Sequence, residues 1–201
     1  MGVAYAEQYM TAAEFVKWDD GTPTRYELIN GRPVAMAPPK PRHSVVCSNV
    51  NRRLTEALDA RPPCRVLLEA GVVSPNDFYS FFVPDLVVTC APSDLTGDWV
   101  AYPSLIVEIL SPSTRRHDSR VKLMAYRAIP GLTEIMLIDP QEPWCEIHRR
   151  LDAQRWQVDL YNRLEDEIVL DSAGFAGPLG LFYAGLDMTP AAPLAQNPAD
   201  V

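Results

Sequence analysis

Apolar residues recur at steps of three and four along residues 44 to 60, where Val46, Val50, Leu54, Ala57 and Leu58 mark one face of a helix. Ser44 stands where a cap is wanted, and Pro62-Pro63 ends the pattern. Upstream, Thr11-Ala-Ala-Glu14 fits a capping box and opens a short helix to about Trp18, stopped by Asp-Asp-Gly. RYELI and RPVAM flank Asn30-Gly31, a pair suited to the positive backbone angles of a type I′ hairpin turn. Three extended runs follow: CRVLLEAGVV (64–73), FFVPDLVVT (81–89) and SLIVEIL (104–110). The last two are apolar on both faces, as in central strands covered by helices.

A second long helix is predicted from about Asp118 to Ala128, buried through Val121, Met124, Ala125 and Ala128 and stopped by Pro130-Gly131. EIMLID then reads as a strand, and CEIHRRL with RWQVDLY as a hairpin. No internal repeat is visible. The order helix, hairpin, helix, three strands, helix, strand, hairpin predicts a mixed α/β fold: a mixed central sheet flanked by helices, with added hairpins. With 201 residues the expectation is one domain over 1–188. It divides into a helix and hairpin (10–37), a core (42–140), and a hairpin with an acidic region (141–188). The Pro/Ala-rich end, 189–201, is expected to be disordered.

Composition sharpens this picture in two ways. The start, MGVAYAEQYM, lacks the basic and apolar segments of a secretory signal, and no apolar run approaches a membrane span. Cys47, Cys64, Cys90 and Cys145 form no CxxC pair and are joined by only three histidines, so they read as reduced thiols in a cytoplasmic protein. The formal net charge of −8 argues against a protein that coats nucleic acid by long-range attraction. Charge is uneven, however. Residues 134–201 hold four basic and twelve acidic side chains, whereas Ser111 to Arg127 carries Arg115, Arg116, Arg120, Lys122 and Arg127 against Asp118 alone.

Two acids interrupt apolar strands. Glu108 lies inside LIVEIL, and Asp85 inside VPDLVV, 23 residues earlier. A buried carboxylate must be paired, metal-bound or at a cleft. Two at matching heights on neighbouring strands converge on one point, and with a backbone carbonyl they suit Mg²⁺, which takes oxygen ligands and keeps several waters. Lys122, fourteen residues on, can reach back toward Glu108. An acid pair with a lysine can bind the ion, position a water and neutralise phosphate charge. The same spacing also suits a buried ion pair of Glu108 with Lys122 or an arginine, or a helix-surface pair of Lys122 with Asp118.

RYELINGRP, PRH, VPDLVV, LIVEILSPSTRRHDSRVKLMAYRAIPGL and EIMLIDP, in this order, resemble the Uma-type restriction-endonuclease-like family of bacteria, within the PD-(D/E)XK nuclease superfamily. The likeness spans about residues 10 to 150 and is most specific from SPST to IDP. It implies an αβββαβ core and a metal-dependent endonuclease site acting on DNA. It also implies Asp85, Glu108 and the carbonyl of Ile109 as ligands of Mg²⁺ (or Mn²⁺), Lys122 as the lysine facing phosphate or water, and Glu27 as a further acid of the site. Where the superfamily's ExK lysine is expected stands Leu110; in the narrower family that lysine is displaced to the following helix, the place of Lys122.

Other residues carry two readings each. Glu27 shares a strand face with Ile29 and points inward, or, flanked by Arg25, pairs with Arg32 across the hairpin. His43 extends the stripe 43, 46, 50, 54 and touches a phosphate, or is a satisfied core histidine. Tyr126 orients Lys122, or packs with its hydroxyl at the rim. Arg115 and Arg116 contact backbone phosphates, or are solvated surface. The expected assembly is a homodimer through the acidic C-terminal hairpin, with no membrane partner. The rival to an endonuclease is a catalytically silent module that keeps the fold for oligomerisation or partner binding.

Overall fold

Thr11 caps the first helix, α1 (Ala12–Phe15), with both halves of the capping box formed: its hydroxyl accepts from the Glu14 N–H, and Glu14 accepts in return from the Thr11 N–H at 2.9 Å. Strands β1 (Tyr26–Ile29) and β2 (Arg32–Ala35) pair antiparallel around Asn30 and Gly31, whose φ values of 50° and 77° make the type I′ turn. The remaining elements are α2 (Pro41–Leu58), β3 (Arg65–Leu68), β4 (Val72–Ser74), β5 (Asp77–Phe82), β6 (Leu86–Thr89), β7 (Pro103–Ile109), α3 (Asp118–Arg127), β8 (Glu134–Asp139), β9 (Trp144–Arg150), β10 (Trp156–Tyr161), β11 (Glu167–Leu170) and β12 (Phe175–Pro178). This computed structural model describes residues 9–111 and 118–188.

The main sheet has six strands in the order β10-β9-β8-β7-β6-β3, with β7 and β8 parallel and the other pairs antiparallel. α3 makes the crossover between the parallel pair. In chain order α2, β3, β6, β7, α3 and β8 form the αβββαβ core. α2 covers one face, seating Val46, Val50, Leu54 and Leu58 against Leu86, Val88, Leu105 and Val107. α3 covers the other with Tyr126, which packs with Val87, Ile106, Ile135 and Leu137. Each fully buried aliphatic side chain contributes about 1.5–3 kcal/mol relative to exposure. Among the described residues no helix is long and apolar enough to cross a membrane.

Between β3 and β6 the chain leaves this sheet to form β4 and β5, which join β1 and β2 in a four-stranded sheet, β2-β1-β5-β4. The runs 64–73 and 81–89, expected as single strands, are each therefore split between two sheets. The first breaks at Glu69, with φ of 50°, and at Gly71, where a Cβ would stand 2.0 Å from the Phe81 ring. The second breaks at Val83-Pro84, because proline has no N–H to give a ladder.

Three further expectations change. α2 begins at Pro41 with Lys40 as its N-cap, so Ser44 lies inside the helix: proline at the first position is preorganised for a helix start. α3 does not bury Val121 and Met124, which are 42% and 76% exposed; its inward positions are Lys122, Tyr126 and, just past its end, Ile129. The cysteines are not all thiols. Pairing Arg65 with Thr89 sets Cys64 directly opposite Cys90, and the two form a disulfide, leaving Cys47 and Cys145 free. Residues 162–188, given no elements by the sequence pattern, hold the β11–β12 hairpin and a 3-10 turn at Leu179–Tyr183. Arg115, Arg116, the Asp118 side chain and the tail 189–201 lie outside the described residues.

Candidate active site

Antiparallel pairing of Leu86 with Val107 places Asp85 and Glu108 at the next opposed positions, where β6 begins and β7 nears its end. Asp85 Oδ2 accepts from the Ile109 N–H at 2.7 Å, and Oδ1 stands 3.1 Å from His43 Nε2 in the first turn of α2. Glu108 Oε1 accepts from the Tyr126 hydroxyl at 2.6 Å and from Lys122 Nζ at 3.3 Å. Lys122 and Tyr126 are four apart on α3, hence on one helix face. The same ammonium lies 2.8 Å from Glu27 Oε1, which also accepts from the Val83 N–H at 2.8 Å. The four-stranded sheet thus delivers a third acid to the end of the main sheet. Glu27, His43, Asp85, Glu108 and Lys122 have side chains only 9–17% exposed.

Burial and charge compete here. Burial pushes the Glu108 carboxyl up to about 7; Lys122 pulls it down, Asp85 and Glu27 push it up, and the Tyr126 hydrogen bond pulls it down. Burial alone would lower the Lys122 ammonium, but Glu108 and Glu27 outweigh it and hold the lysine above its ordinary range. The hydrogen bond to Asp85 raises His43 against the opposing pull of burial. Burial, then Glu108, holds the Tyr126 phenol well above the usual value, so it donates as a neutral hydroxyl. With all three carboxyls ionised and the imidazole neutral, three acids against one lysine leave two negative charges in excess, and protonation of Glu108 leaves one.

That excess, presented as hard carboxylate oxygen, fits a divalent cation such as Mg²⁺. Among the described residues Glu108 Oε2 has no protein partner. A strand residue turns its N–H and C=O to the same side, so the Ile109 carbonyl faces the Asp85 edge with its N–H. No group of three or more His, Cys, Asp or Glu side chains is assembled as a cage among the described residues. Asp85, Glu108 and the Ile109 carbonyl are the groups that could hold an ion completed by water.

The two-sided readings now separate geometrically. Glu27 faces inward: Val34 is its cross-strand partner, Arg25 pairs with Glu69 at 2.5 Å, and Arg32 donates to the Tyr9 hydroxyl. His43 touches Asp85, and its Nδ1 is buried without a partner among the described residues. Tyr126 bonds Glu108 rather than Lys122 and is 1% exposed, with its ring edge-on to Phe82. The Val83 N–H, absent from the sequence reading, fixes Glu27; its signal was the following Pro84, which keeps Val83 extended and its N–H free of a helix.

The model of the family described as "Uma2: Putative restriction endonuclease" matches residues 12–179. The chain belongs to the Uma2 family. It is similar to two proteins of Synechocystis sp.: slr1290, 25% identical over 178 residues (88% of this chain, 93% of that protein), and sll1609, 27% identical over 159 residues (78% and 89%). A crystal structure from Anabaena variabilis, described as "a putative nuclease belonging to DUF820", matches 87% of this chain and 97% of its own with a TM-score of 0.68 and 20% identity. The fold of this Uma2 chain is thus restriction-endonuclease-like, a mixed sheet with few helices.

Proposed function

We propose that this Uma2 protein is a divalent-metal-dependent endonuclease that hydrolyses phosphodiester bonds of DNA at the Glu27–Asp85–Glu108–Lys122 cluster. The observation that carries the reading is the Lys122 ammonium held between Glu27 and Glu108, with Asp85 beside them, so that three acids face one lysine. A structural ion pair would need no third acid. The family's description as restriction endonucleases supports the same class of reaction.

Asp85, Glu108 and the carbonyl of Ile109 would hold Mg²⁺ or Mn²⁺. Such an ion lowers the pKa of a coordinated water from about 15.7 and offsets phosphate charge. Lys122 donates hydrogen bonds to a nonbridging phosphate oxygen and stabilises the negative charge added as the phosphorus is attacked. Glu27 keeps the ammonium protonated and aimed. Tyr126 holds Glu108 in one rotamer, and His43 does the same for Asp85. Arg115 and Arg116 contact neighbouring phosphates, supplying a local attraction that the net charge of −8 does not.

One observation favours a catalytically silent module instead: both Asp85 oxygens already have protein partners, His43 and the Ile109 N–H. Incubating supercoiled plasmid and single-stranded DNA with Mg²⁺ or Mn²⁺ decides between the two. Cleavage is expected, falling by about 10³-fold or more in Asp85→Ala and Glu108→Ala and about 10²-fold in Lys122→Met. Cleavage unchanged in the acid variants, or none from the native chain with either metal, removes the endonuclease reading.

A further inference from the structure

The edge strand β10 has the makings of a self-complementary surface. In the β9–β10 hairpin, the Leu151 N–H donates to the Arg155 carbonyl, so residues 151 and 155 form a hydrogen-bonded pair. Antiparallel pairs alternate. Gln157, Asp159 and Tyr161 therefore turn their backbone groups toward β9, while Trp156, Val158 and Leu160 turn theirs outward. Among the described residues no strand pairs with that outer side. The same three residues share one face of the strand, with Val158 48% and Leu160 60% exposed and Trp156 half-buried.

Proteins blunt such edges with lysine, proline, bulges or short length. The opposite edge of the same sheet, β3, is four residues long, follows Pro62-Pro63, begins at the exposed Arg65 and is tied to β6 through Cys64 and Cys90. β10, WQVDLY, has six residues and none of these devices. Its one charge, Asp159, lies on the other face and is paired with Arg149.

We propose that β10 pairs antiparallel with β10 of a second copy about a two-fold axis through Val158, so that the main sheets of two chains become continuous. Of the registers available, this one places Val158 opposite Val158, Trp156 opposite Leu160, and Gln157 opposite Asp159. It joins the outward backbone groups as about six hydrogen bonds. A shift by one residue along each strand, centring the axis on Asp159, sets Asp159 against Asp159, and like charges directly opposed are destabilising. Gln157 and Asp159 already show complementary chemistry within one chain, where the amide donates to the carboxylate at 2.8 Å. The proposal rests on β10 alone and is independent of the nuclease reading.

Light scattering on the full chain, with sedimentation equilibrium across ~1–100 µM, reads the state directly. A particle of twice the chain mass of 22.4 kDa is expected. Val158→Pro removes an outward N–H while sparing the β9 ladder, and Leu160→Lys places an ammonium on the apolar face; each is expected to give monomer with an unchanged circular dichroism spectrum. Val158→Cys sets two thiols across the axis at a hydrogen-bonded pair, where Cα atoms about 5.5 Å apart permit a disulfide. Mild oxidation should then give a covalent dimer that the native chain, with its own four cysteines, does not. A native chain that is monomeric throughout overturns the proposal. So does a dimer that persists in Leu160→Lys and fails to cross-link through Val158→Cys, whether or not the proline variant folds.

Discussion

Glu108 and Glu134 are glutamates on the two parallel strands β7 and β8, yet their surroundings oppose one another. Glu134, 3% exposed, accepts from the Ser172 N–H at 2.9 Å, the Asp171 N–H at 3.3 Å and the Ser172 hydroxyl, with Arg149 Nε at 3.4 Å. Both of its oxygens are used, and the donors come from a turn it helps to hold. Among the described residues Glu108 has its donors on one oxygen and shares its one cationic partner, Lys122, with Glu27. A buried carboxylate surrounded by donors is a structural device; one left short of them, beside other acids, stores an unmet demand for positive charge. That difference separates a fold residue from a candidate site residue without reference to position in a motif.

Substitution should break the comparison most visibly in stability. Glu134→Ala leaves the Asp171 and Ser172 amides without their acceptor and strips Arg149 of one of its two carboxylate partners; it should cost about 3 kcal/mol, lowering the melting temperature by roughly 10 °C. Glu108→Gln removes a charge that burial already disfavours and should leave stability within about 1 kcal/mol of the native chain, while DNA cleavage is lost. Melting curves of both variants check this; a larger loss in Glu108→Gln would make Glu108 the structural residue. Next in size is the response to metal. Millimolar Mg²⁺ or Mn²⁺ should stabilise the native chain and Glu134→Gln by up to about 2.7 kcal/mol at a hundredfold excess over Kd, read as a raised melting temperature, but should not stabilise Glu108→Ala. No shift in the native chain favours the silent module.

How much of this was legible beforehand differs between the two carboxylates. Glu108 announces itself because every neighbour from Leu105 to Leu110 is aliphatic, and Asp85 does so for the same reason. Glu134 opens EIMLID at the end of an apolar run and looks like an ordinary strand start; its donors, Asp171 and Ser172, are 37 and 38 residues away in a turn without a periodic signal. Local signals suffice where a single residue pair decides the backbone, as at Thr11 with Glu14 and at Asn30-Gly31. They do not suffice where tertiary context decides. The extended runs at 64–73 and 81–89 carry breakers where the chain changes sheet, Glu69 with Gly71 and Pro84 with Asp85, but no local signal says which sheet each half joins. The apolarity of Val121 and Met124 points to the wrong face of α3, where Lys122 lies inward instead. That inversion follows from the candidate site: a lysine and a tyrosine take the buried face because Glu27 and Glu108 receive them there.

A finer test is pH. The folded Glu108 carboxyl titrates near 7, above its ordinary 4.5, so the folded state holds this proton more tightly than the unfolded chain does. Its contribution therefore favours folding fully below about 4.5 and is lost as pH rises through about 7. In metal-free buffer the native chain should lose stability relative to Glu108→Gln across that window. His43, also raised, chiefly by its hydrogen bond to Asp85, adds a loss of the same sign from its ordinary 6.5 upward; Glu108 contributes part of that rise, so Glu108→Gln should weaken this loss as well. Urea midpoints at half-unit steps of pH measure the difference, and parallel curves for the native chain and Glu108→Gln would refute the assignment.

The smallest expected effect pits one hydroxyl against another. Tyr126→Phe keeps the ring edge-on to Phe82 but removes the 2.6 Å hydrogen bond to Glu108, whose carboxyl should then titrate still higher. Ser172→Ala removes the hydroxyl from Glu134 and leaves the backbone donors in place. Each should cost about 1 kcal/mol. Only the tyrosine change should move the pH profile of cleavage to higher pH, with activity reduced a few-fold at pH 7 and restored toward native near pH 8.5. A profile that does not move in Tyr126→Phe would leave that hydroxyl a packing group, and the rotamer of Glu108 would then be held by Lys122 alone.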